Sequence, residues 1–441
     1  MTKANELTAS TAQAAICSGD ITSRQLVDAC LDQVDHRDDD VGAWIYLNPE
    51  MARDAADEAD RITSAGETTG PLHGIPVGLK DIIDTKDMPT EQGSALFKGR
   101  RPVTDSTMAR LLRDAGAIIM GKTVTTEYAL TAAGKTRNPH NPNHTPGGSS
   151  SGSAAAVADY QVPLSIGSQT GGSMIRPASY CGVHGFKPTF GSISRTGMHP
   201  LARPLDHPGI YARSLEDIAL IGDVLMAKDP LDLDMRDHPK ANLVEAVSKG
   251  AIDTPPRIAF VKGPMWGAAE PYMDALFAKV LTELGDTARE VEMAGIFDDA
   301  LDCHSTIMMA NVVANLGDYV RNTPDKVHKE TIRRVEQGYG IPAEDYVKAI
   351  EFSDTIDAAI DRMFEHCDVI ITPAAPGEAP SGIEGTGNAI FQKLWTLTGV
   401  PTLTLPKLQG PNGLPIGIQV IGRFGQDADL FRNAMWIENA L

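Results

Sequence analysis

The sequence predicts a single large α/β domain in which a β-sheet carries helices on both faces. The 441 residues are enough to bury a sizeable core, and 42% of them are hydrophobic. Short apolar or β-branched runs alternate with helical patterns, which is typical of α/β proteins. The runs that predict strands lie at 117–120, 162–166, 257–261, 368–372, 402–405 and 417–421, and helical patterns between them lie at 106–114, 214–226, 271–284 and 343–365.

The order of these elements divides the chain into four parts. Residues 1–65 are predicted to be helical, because Thr22-Ser23 can cap an amphipathic segment and an alanine-rich, charged segment follows. The central part, at about 70–225, begins with an apolar stretch that resembles a strand entering a constrained loop. A polar, proline-punctuated insertion or linker follows at about 228–256. The C-terminal part, 257–441, is expected to complete the sheet and the substrate pocket.

The composition excludes several classes of function. The net charge is −19, from 58 acidic and 39 basic residues, and this charge repels nucleic acid and anionic membrane surfaces. The five cysteines show neither a disulfide framework nor a zinc spacing, which fits reduced thiols. The N-terminus lacks a signal-peptide pattern, and no apolar run approaches the ~20 residues that cross a bilayer. We therefore expect a cytoplasmic protein that binds neither nucleic acid nor membranes.

The stretch 138–213 has the most unusual composition in the chain. It opens with three prolines in a polar segment that can form neither a helix nor a strand. A first glycine-serine cluster, GGSSSGS at 147–153, then precedes a helix of small residues. A second cluster, GSQTGGS at 167–173, follows a predicted strand. The small residues of the helix indicate that it packs closely against another element.

The second cluster has the features of an acyl-transfer site. A strand that ends in Thr-Gly-Gly-Ser places consecutive backbone N–H groups in a tight turn, and such a turn binds anions. Ser173, at the end of the turn, lies within reach of any group held there. Acyl transfer requires a nucleophile of this kind next to donors for the developing oxyanion, and each donor is worth ~10²–10³ in rate.

Three elements of the sequence together resemble the amidase signature family. The family's glycine-rich serine cluster is matched at 147–151, its Gly-Gly-Ser nucleophile turn at 170–173, and its lysine loop at 77–81. The spacing of the family's two catalytic serines is also met, since 173 − 149 = 24. The resemblance implies the family's fold, a single domain with a central mixed β-sheet flanked by helices. Further matching segments, which extend the resemblance over most of the chain, lie at 181–182, 185–189, 398–401 and 415–419.

The resemblance also implies a mechanism that needs neither a metal nor an organic cofactor. Ser173 attacks the carbonyl carbon, Ser149 relays the proton from a position after a cis peptide bond, and Lys80 is the terminal base. Lys80 must be uncharged to act in this way, so burial has to lower its pKa well below the ordinary value near 10.4. The oxyanion hole consists of the backbone N–H groups of Thr170, Gly171, Gly172 and Ser173.

Three other interpretations fit these sequence features less well. Residues 148–152 match G-x-S-x-G, but the nucleophile elbow of α/β-hydrolases needs a strand directly before it, and here prolines precede it. No Gly-Lys-Ser/Thr follows either cluster, which argues against a phosphate-binding loop. His140 and His144 lack the helix that would align them on a metal, and Cys181 with His184 supplies too few ligands.

Three residues are candidates for substrate binding. In the malonamidase-like branch of the family, which has a similar nucleophile turn, the arginine matching Arg176 is placed to hold a substrate carboxylate. The alternative for Arg176 is a structural ion pair that fixes the turn. Met174 and Trp395 either line an apolar pocket or belong to the ordinary core. Gln169 departs from the aspartate common in the family, so the substrate preferences of other members do not transfer directly.

These observations favour a stand-alone hydrolase of small-molecule amides. Carbamates (urethanes) and esters are possible further substrates, because they react through the same type of acyl-enzyme. One alternative is an amidotransferase-type subunit that delivers ammonia from glutamine to a partner protein. Gln169 and the Met174-Ile175-Arg176 order differ from what that subunit is expected to have. Another alternative is a catalytically dead binding module, against which the complete lysine-serine-serine set argues. Dimers are common among similar enzymes, so a homodimer is one expectation for the oligomeric state.

Overall fold

The computed structural model describes residues 3–67, 69–235 and 241–441, in which strands and helices alternate along the chain. The strands are β1 (Trp44–Leu47), β2 (Pro76–Lys80), β3 (Ile118–Thr123), β4 (Leu164–Gln169), β5 (His184–Lys187), β6 (His207–Ala212), β7 (Ile258–Phe260), β8 (Ala288–Glu290), β9 (Val369–Pro373), β10 (Thr402–Gln409) and β11 (Pro415–Ile421). The helices are α1 (Ala9–Ser18), α2 (Ser23–Val41), α3 (Pro49–Ser64), α4 (Thr107–Asp114), α5 (Ser151–Ala158), α6 (Ile175–Cys181), α7 (Leu215–Leu225), α8 (Leu243–Ser248), α9 (Met273–Leu284), α10 (Ala300–Asn322), α11 (Lys329–Gly338), α12 (Ala343–Met363), α13 (Ile390–Leu397) and α14 (Asp427–Ala440).

Within the described residues, the eleven strands form one mixed sheet in the order β1-β3-β2-β4-β6-β5-β10-β11-β9-β7-β8. Strand β2 lies between β3 and β4 and runs parallel to both. From β4 to β9, each strand in this order is antiparallel to its neighbour. The predicted fold class, an α/β domain built on one mixed sheet, is therefore confirmed.

Helices cover both faces of the sheet, as the two central residues of β5 demonstrate. Successive strand residues point to opposite faces. A Cβ at Gly185 would lie 2.6 Å from the Cβ of Ala178 in α6, so α6 packs closely on that face. The ring of Phe186 meets the ring of Phe431 in α14 edge-on, with centroids 5.0 Å apart. Helices α6 and α14 thus lie on opposite faces of the sheet.

The N-terminal part follows the prediction at its helices but not throughout. The side chain of Thr22 accepts a hydrogen bond from the backbone N–H of Gln25, whose side chain accepts one from Thr22 in return, so the predicted cap of α2 is confirmed. The expectation of an entirely helical segment is wrong, because β1 pairs antiparallel with β3 at the edge of the sheet. Four residues with few alternating positions give too weak a pattern to show a strand.

The polar segment 228–256 contains a helix that packs into the domain. Helix α8 buries Leu243 and Ala246, and Leu243 joins the main hydrophobic core. Residues 236–240 of this segment lie outside the described residues. No helix among those that the structure describes is long and apolar enough to cross a membrane.

The topology brings two functional segments to the same edge of the sheet. Strands β2 and β4 are parallel, with Leu79 opposite Ile166. The carboxyl ends of parallel strands lie at one edge, where ligand sites of α/β proteins commonly form. Lys80 at the end of β2 is therefore adjacent to the residues that end β4 and begin the second glycine-serine cluster.

Candidate active site

Lys80 is a fully buried lysine whose amine contacts two hydroxyl groups. Its Nζ forms hydrogen bonds with Ser149 Oγ at 2.6 Å and with Ser168 Oγ at 2.8 Å. Burial lowers the pKa of Lys80 well below its ordinary value, and the negative charge of Asp206 raises it by a smaller amount. Burial has this effect because a charged amine without a close carboxylate loses its hydration. The uncharged form of such an amine can accept a proton from a neighbouring hydroxyl.

The first glycine-serine cluster carries Ser149 to this amine. The Gly148–Ser149 peptide bond is cis, and Ser149 is buried. The next residue fixes the cluster to the end of β4, since Ser150 Oγ donates to the Ser168 carbonyl at 3.0 Å and accepts from the Ser168 N–H at 3.1 Å. Ser168, which sequence reasoning did not single out, therefore contacts both Lys80 and the serine cluster.

The second cluster forms the turn between β4 and α6, with Ser173 at its end. Ser173 is 8% exposed, so the turn is nearly enclosed. Groups outside the turn engage four of its carbonyl oxygens in succession. The contacts are His304 Nε2 to Thr170 O at 2.9 Å, Thr396 Oγ1 to Gly171 O at 2.8 Å, the Arg176 N–H to Gly172 O at 3.1 Å and the Tyr211 hydroxyl to Ser173 O at 2.9 Å.

These contacts also orient the N–H groups of the turn. The C=O and N–H of one trans peptide unit are coplanar and point in opposite directions, so fixing the carbonyls of residues 170, 171 and 172 directs the N–H groups of Gly171, Gly172 and Ser173 to the other side. Within the part of the chain that the structure describes, these three N–H groups have no acceptor. Such a set can stabilise an oxyanion, although the oxyanion hole and its fourth member, Thr170, stay predictions.

Gln169, the last residue of β4, supports the turn through both atoms of its amide. Its Oε1 accepts from the N–H groups of Met174 at 2.8 Å and Ile175 at 3.1 Å, and its Nε2 donates to Thr396 Oγ1 at 3.0 Å. An aspartate, which is common here in the family, has no N–H to donate. The glutamine that replaces the family's common aspartate at position 169 therefore donates to a hydroxyl on α13, that of Thr396.

Two further residues beside the turn, Asp206 and His304, were not predicted from the sequence. Thr170 Oγ1 donates to the buried carboxylate of Asp206 at 2.5 Å. His304 lies on α10, and burial together with the charge of Lys393 lowers its pKa to about 3. His304 is therefore neutral near pH 7, and its Nε2 must carry the proton that it donates to the Thr170 carbonyl. No local sequence pattern distinguishes such a histidine from an ordinary buried helix residue.

Arg176 anchors the peptide that precedes Ser149. Its Nη2 donates to the Gly148 carbonyl at 2.5 Å and to Thr386 Oγ1 at 3.2 Å. The side chain is 4% exposed, and its Nε has no partner among the described residues. The structural ion pair considered above is absent there, because the partners are a carbonyl and a hydroxyl. Substrate binding by Arg176 stays a prediction.

The two candidate pocket residues are both fully buried. Met174 lies in the core beneath the turn, where its Sδ is 2.7 Å from the position a Cβ would take at Gly167. Trp395 lies on α13, and its indole N–H has no partner among the described residues. Neither side chain presents a surface to solvent, so a substrate-lining role for either stays a prediction.

The histidines weighed as metal ligands bind backbone carbonyls instead. His140 Nε2 is 2.8 Å from the Cys181 carbonyl, and His144 Nδ1 is 2.7 Å from the Ala379 carbonyl. Over residues 3–67, 69–235 and 241–441, no group of three or more His, Cys, Asp or Glu side chains is arranged to hold a metal ion.

A buried lysine amine, two serines and a turn whose N–H groups have no acceptor among the described residues are groups that an acyl-transfer site needs. The profile of the Amidase family matches residues 25–431. The chain belongs to the amidase family. Among solved structures, this amidase is similar to the native peptide amidase of Stenotrophomonas maltophilia, with 28% identity and a TM-score of 0.85 over 98% of this chain and 96% of that one.

Other relatives cover this amidase almost completely. A chain from a vestigial complex bearing on the evolutionary origins of an s-triazine catabolic enzyme has a TM-score of 0.91 and 28% identity, over 98% of both chains. By sequence, this amidase is similar to the A-type subunit of the glutamyl-tRNA(Gln) amidotransferase of Lysinibacillus sphaericus, with 34% identity over 99% of this chain and 96% of the relative. The corresponding protein of Chloroflexus aggregans is 33% identical over 98% and 96%.

Proposed function

We propose that this amidase hydrolyses the C–N bond of a small-molecule amide through an acyl-enzyme on Ser173. The observation that carries the proposal is the buried amine of Lys80, which lies 2.6 Å from Ser149 Oγ and has its pKa lowered by burial. Membership of the family and the likeness to a peptide amidase support amide hydrolysis as the reaction class.

The first half of the reaction forms the acyl-enzyme. Ser173 Oγ attacks the amide carbonyl carbon while its proton passes to Ser149 Oγ, and the proton of Ser149 passes to the Lys80 amine. The N–H groups of Gly171, Gly172 and Ser173 stabilise the negative oxygen. The tetrahedral intermediate then expels the nitrogen, which takes a proton back from Lys80 through Ser149 and leaves as ammonia or an amine.

The second half regenerates the enzyme. A water molecule attacks the Ser173 ester and gives a proton to Lys80 through Ser149. When the ester bond breaks, Ser173 Oγ takes that proton back and the carboxylic acid leaves. Carbamates and esters differ from amides in the groups attached to the carbonyl carbon, so they can enter the same acyl-enzyme route with a different leaving group or acyl product.

Labelling with a fluorophosphonate tests the nucleophile directly. The reagent should modify Ser173 in the folded wild type, as peptide mass spectrometry would locate, and should leave Ser173→Ala unlabelled. Ser149→Ala should label at least 100-fold more slowly, because the proton relay is broken. Ser151→Ala is the matched control from the same cluster, since among the described residues the Ser151 hydroxyl forms a hydrogen bond with the Val124 carbonyl alone. Labelling of a different serine would overturn the assignment of the nucleophile. No labelling of the folded protein, at a pH where Lys80 is uncharged, would favour a dead binding module.

The amidotransferase role is a second candidate, favoured by the curated relatives of 33–34% identity. Its discriminating property is glutamine hydrolysis that depends on a partner. The purified chain should hydrolyse simple amides without any partner and should release little ammonia from glutamine. Glutaminase activity that appears only after a cell extract is added would instead support the amidotransferase role.

The two possible roles of Arg176 predict different losses. If Arg176 holds a substrate carboxylate, Arg176→Ala should slow carboxylate-bearing amides selectively. If Arg176 acts through the Gly148 carbonyl, all amides should slow together, because the peptide before Ser149 loses its anchor.

We also infer that the enzyme is a homodimer, by likeness to similar enzymes. Light scattering of the purified chain should give twice the 47.1 kDa of one copy, and a mass of one copy would refute the inference.

A further inference from the structure

Helix α13 passes directly beside the nucleophile turn. A Cβ at Gly172 would lie 2.9 Å from the Cβ of Ala389 and 2.5 Å from Gln392 Oε1. One turn further on, Thr396 donates to the Gly171 carbonyl. Lys393 lies within α13, three residues before Thr396, so it projects from the same side of the helix as Thr396.

Lys393 bridges this helix to the other helix that contacts the turn. Its Nζ donates to Ser305 Oγ on α10 at 3.0 Å. The residue before Ser305 is His304, which donates to the Thr170 carbonyl. The Lys393 amine is therefore placed between two helices that both hold the turn.

The positive charge of Lys393 has no counter-ion in the described part of the chain, where no carboxylate oxygen lies within 4.0 Å of its Nζ. Burial and the charge of Arg334 lower the pKa of Lys393, and the exposed Asp302 raises it by less. Arg334 on α11 also makes no ion pair within 4.0 Å among the described residues. Its Nη1 donates to Gln337 Oε1 at 3.3 Å, and its Nε is buried without a partner there. The neighbouring Arg333, by contrast, pairs with Glu330 at 2.5 Å.

We propose that Lys393, with Arg334 behind it, forms a subsite for an anionic group, so that the preferred substrates are amides that carry a carboxylate. Partly buried cations without counter-ions are stabilised by an anion that completes their hydrogen bonds. A chain of net charge −19 repels anions at long range, so an anionic substrate needs a local group of positive charges. This inference rests on the proposed function and assigns the substrate class to the same site.

Matched substrate pairs test the proposal. Monoamides of four- and five-carbon dicarboxylic acids would be compared with 4-oxopentanamide and 5-oxohexanamide, which replace the carboxylate by an uncharged acetyl group. The wild type should show a higher kcat/KM for the charged member of at least one pair. Lys393→Met should lower the charged-to-neutral ratio of kcat/KM about 10- to 100-fold, mainly through KM, as expected for a lost charge-assisted hydrogen bond. Arg334→Met should lower the ratio in the same direction.

Arg333→Met is the control, because it removes an adjacent positive charge that already has a partner, and its ratio should equal that of the wild type. Equal kcat/KM for both members of every pair, or an unchanged ratio in Lys393→Met, would overturn the subsite. A Lys393→Met protein that does not fold would leave the decision to Arg334→Met and to the wild-type preference. Failure of the proposed function itself would look different, since neither member of any pair would be hydrolysed and Ser173 would not be labelled.

Discussion

Replacing Lys80 by methionine tests whether Lys80 accepts a proton during the reaction or only packs in the core. Methionine keeps the unbranched apolar stem and removes the amine that contacts Ser149 and Ser168. Loss of a general base typically costs 10²–10⁴ in rate, so we expect kcat/KM for a good amide to fall by that factor. For the wild type, log kcat/KM should rise with pH with unit slope up to the native pKa of Lys80 and then level off, well below the ordinary pKa of a lysine.

The same variant has a predicted signature in stability. Burial lowers the pKa of Lys80 in the native state, whereas the unfolded value is near 10.4. Between these two pKa values the unfolded chain binds one more proton than the native chain. The free energy of unfolding of the wild type should therefore rise with pH by up to about 1.4 kcal/mol per pH unit more than that of Lys80→Met over this window. Below the native pKa the buried charge destabilises the wild type fully.

Urea unfolding at pH 6, 7, 8 and 9, with amide hydrolysis at the same pH values, measures both effects. Burial also lowers the pKa of Lys122 to about 8 and that of Lys187 to about 7. These two lysines are present in both proteins, so the difference between wild type and Lys80→Met isolates Lys80. A variant that retains more than a tenth of wild-type activity, or whose stability follows pH in the same way as the wild type, would refute the proton-acceptor role.

Three further changes probe the groups that hold this site. His304→Leu removes the donor to the Thr170 carbonyl and should lower kcat about 10-fold with little change in KM. His304→Gln can still donate a hydrogen bond and should recover most of the rate. Equal losses of kcat in the two variants would show that His304 does not position the turn. Gln169→Leu leaves two buried backbone N–H groups without their acceptor and should lower the free energy of unfolding by about 2–6 kcal/mol in urea titrations; a loss below 1 kcal/mol would contradict the contacts. Ser168→Ala removes one hydrogen bond of Lys80 and should shift the midpoint of the pH–rate profile, while fluorophosphonate should still label Ser173. An unchanged midpoint would show that this hydrogen bond does not affect the pKa of Lys80.

The sequence by itself determined the fold class, the reaction class and the three segments of the candidate site. Alternating apolar and helical segments indicated one sheet with helices on both faces, because the two periodicities depend only on local geometry. The two glycine-serine clusters and the lysine loop could be recognised in the sequence, because a turn of free N–H groups and a candidate nucleophilic serine need particular residue types in consecutive positions. The strands β5 and β6 were missed, since their glycine, proline and aromatic residues carry no clear alternation.

Only the tertiary structure decided how those segments are held and charged. The parallel pairing of β2 with β4 places Lys80 beside Ser168, and helices more than a hundred residues further along the chain supply His304 and Thr396 to the carbonyls of the turn. The tertiary structure also places the Arg176 side chain against the Gly148 carbonyl and leaves Lys393 without a counter-ion among the described residues. Hydrogen bonds and desolvation act through space between distant segments, so no local pattern of residues encodes them.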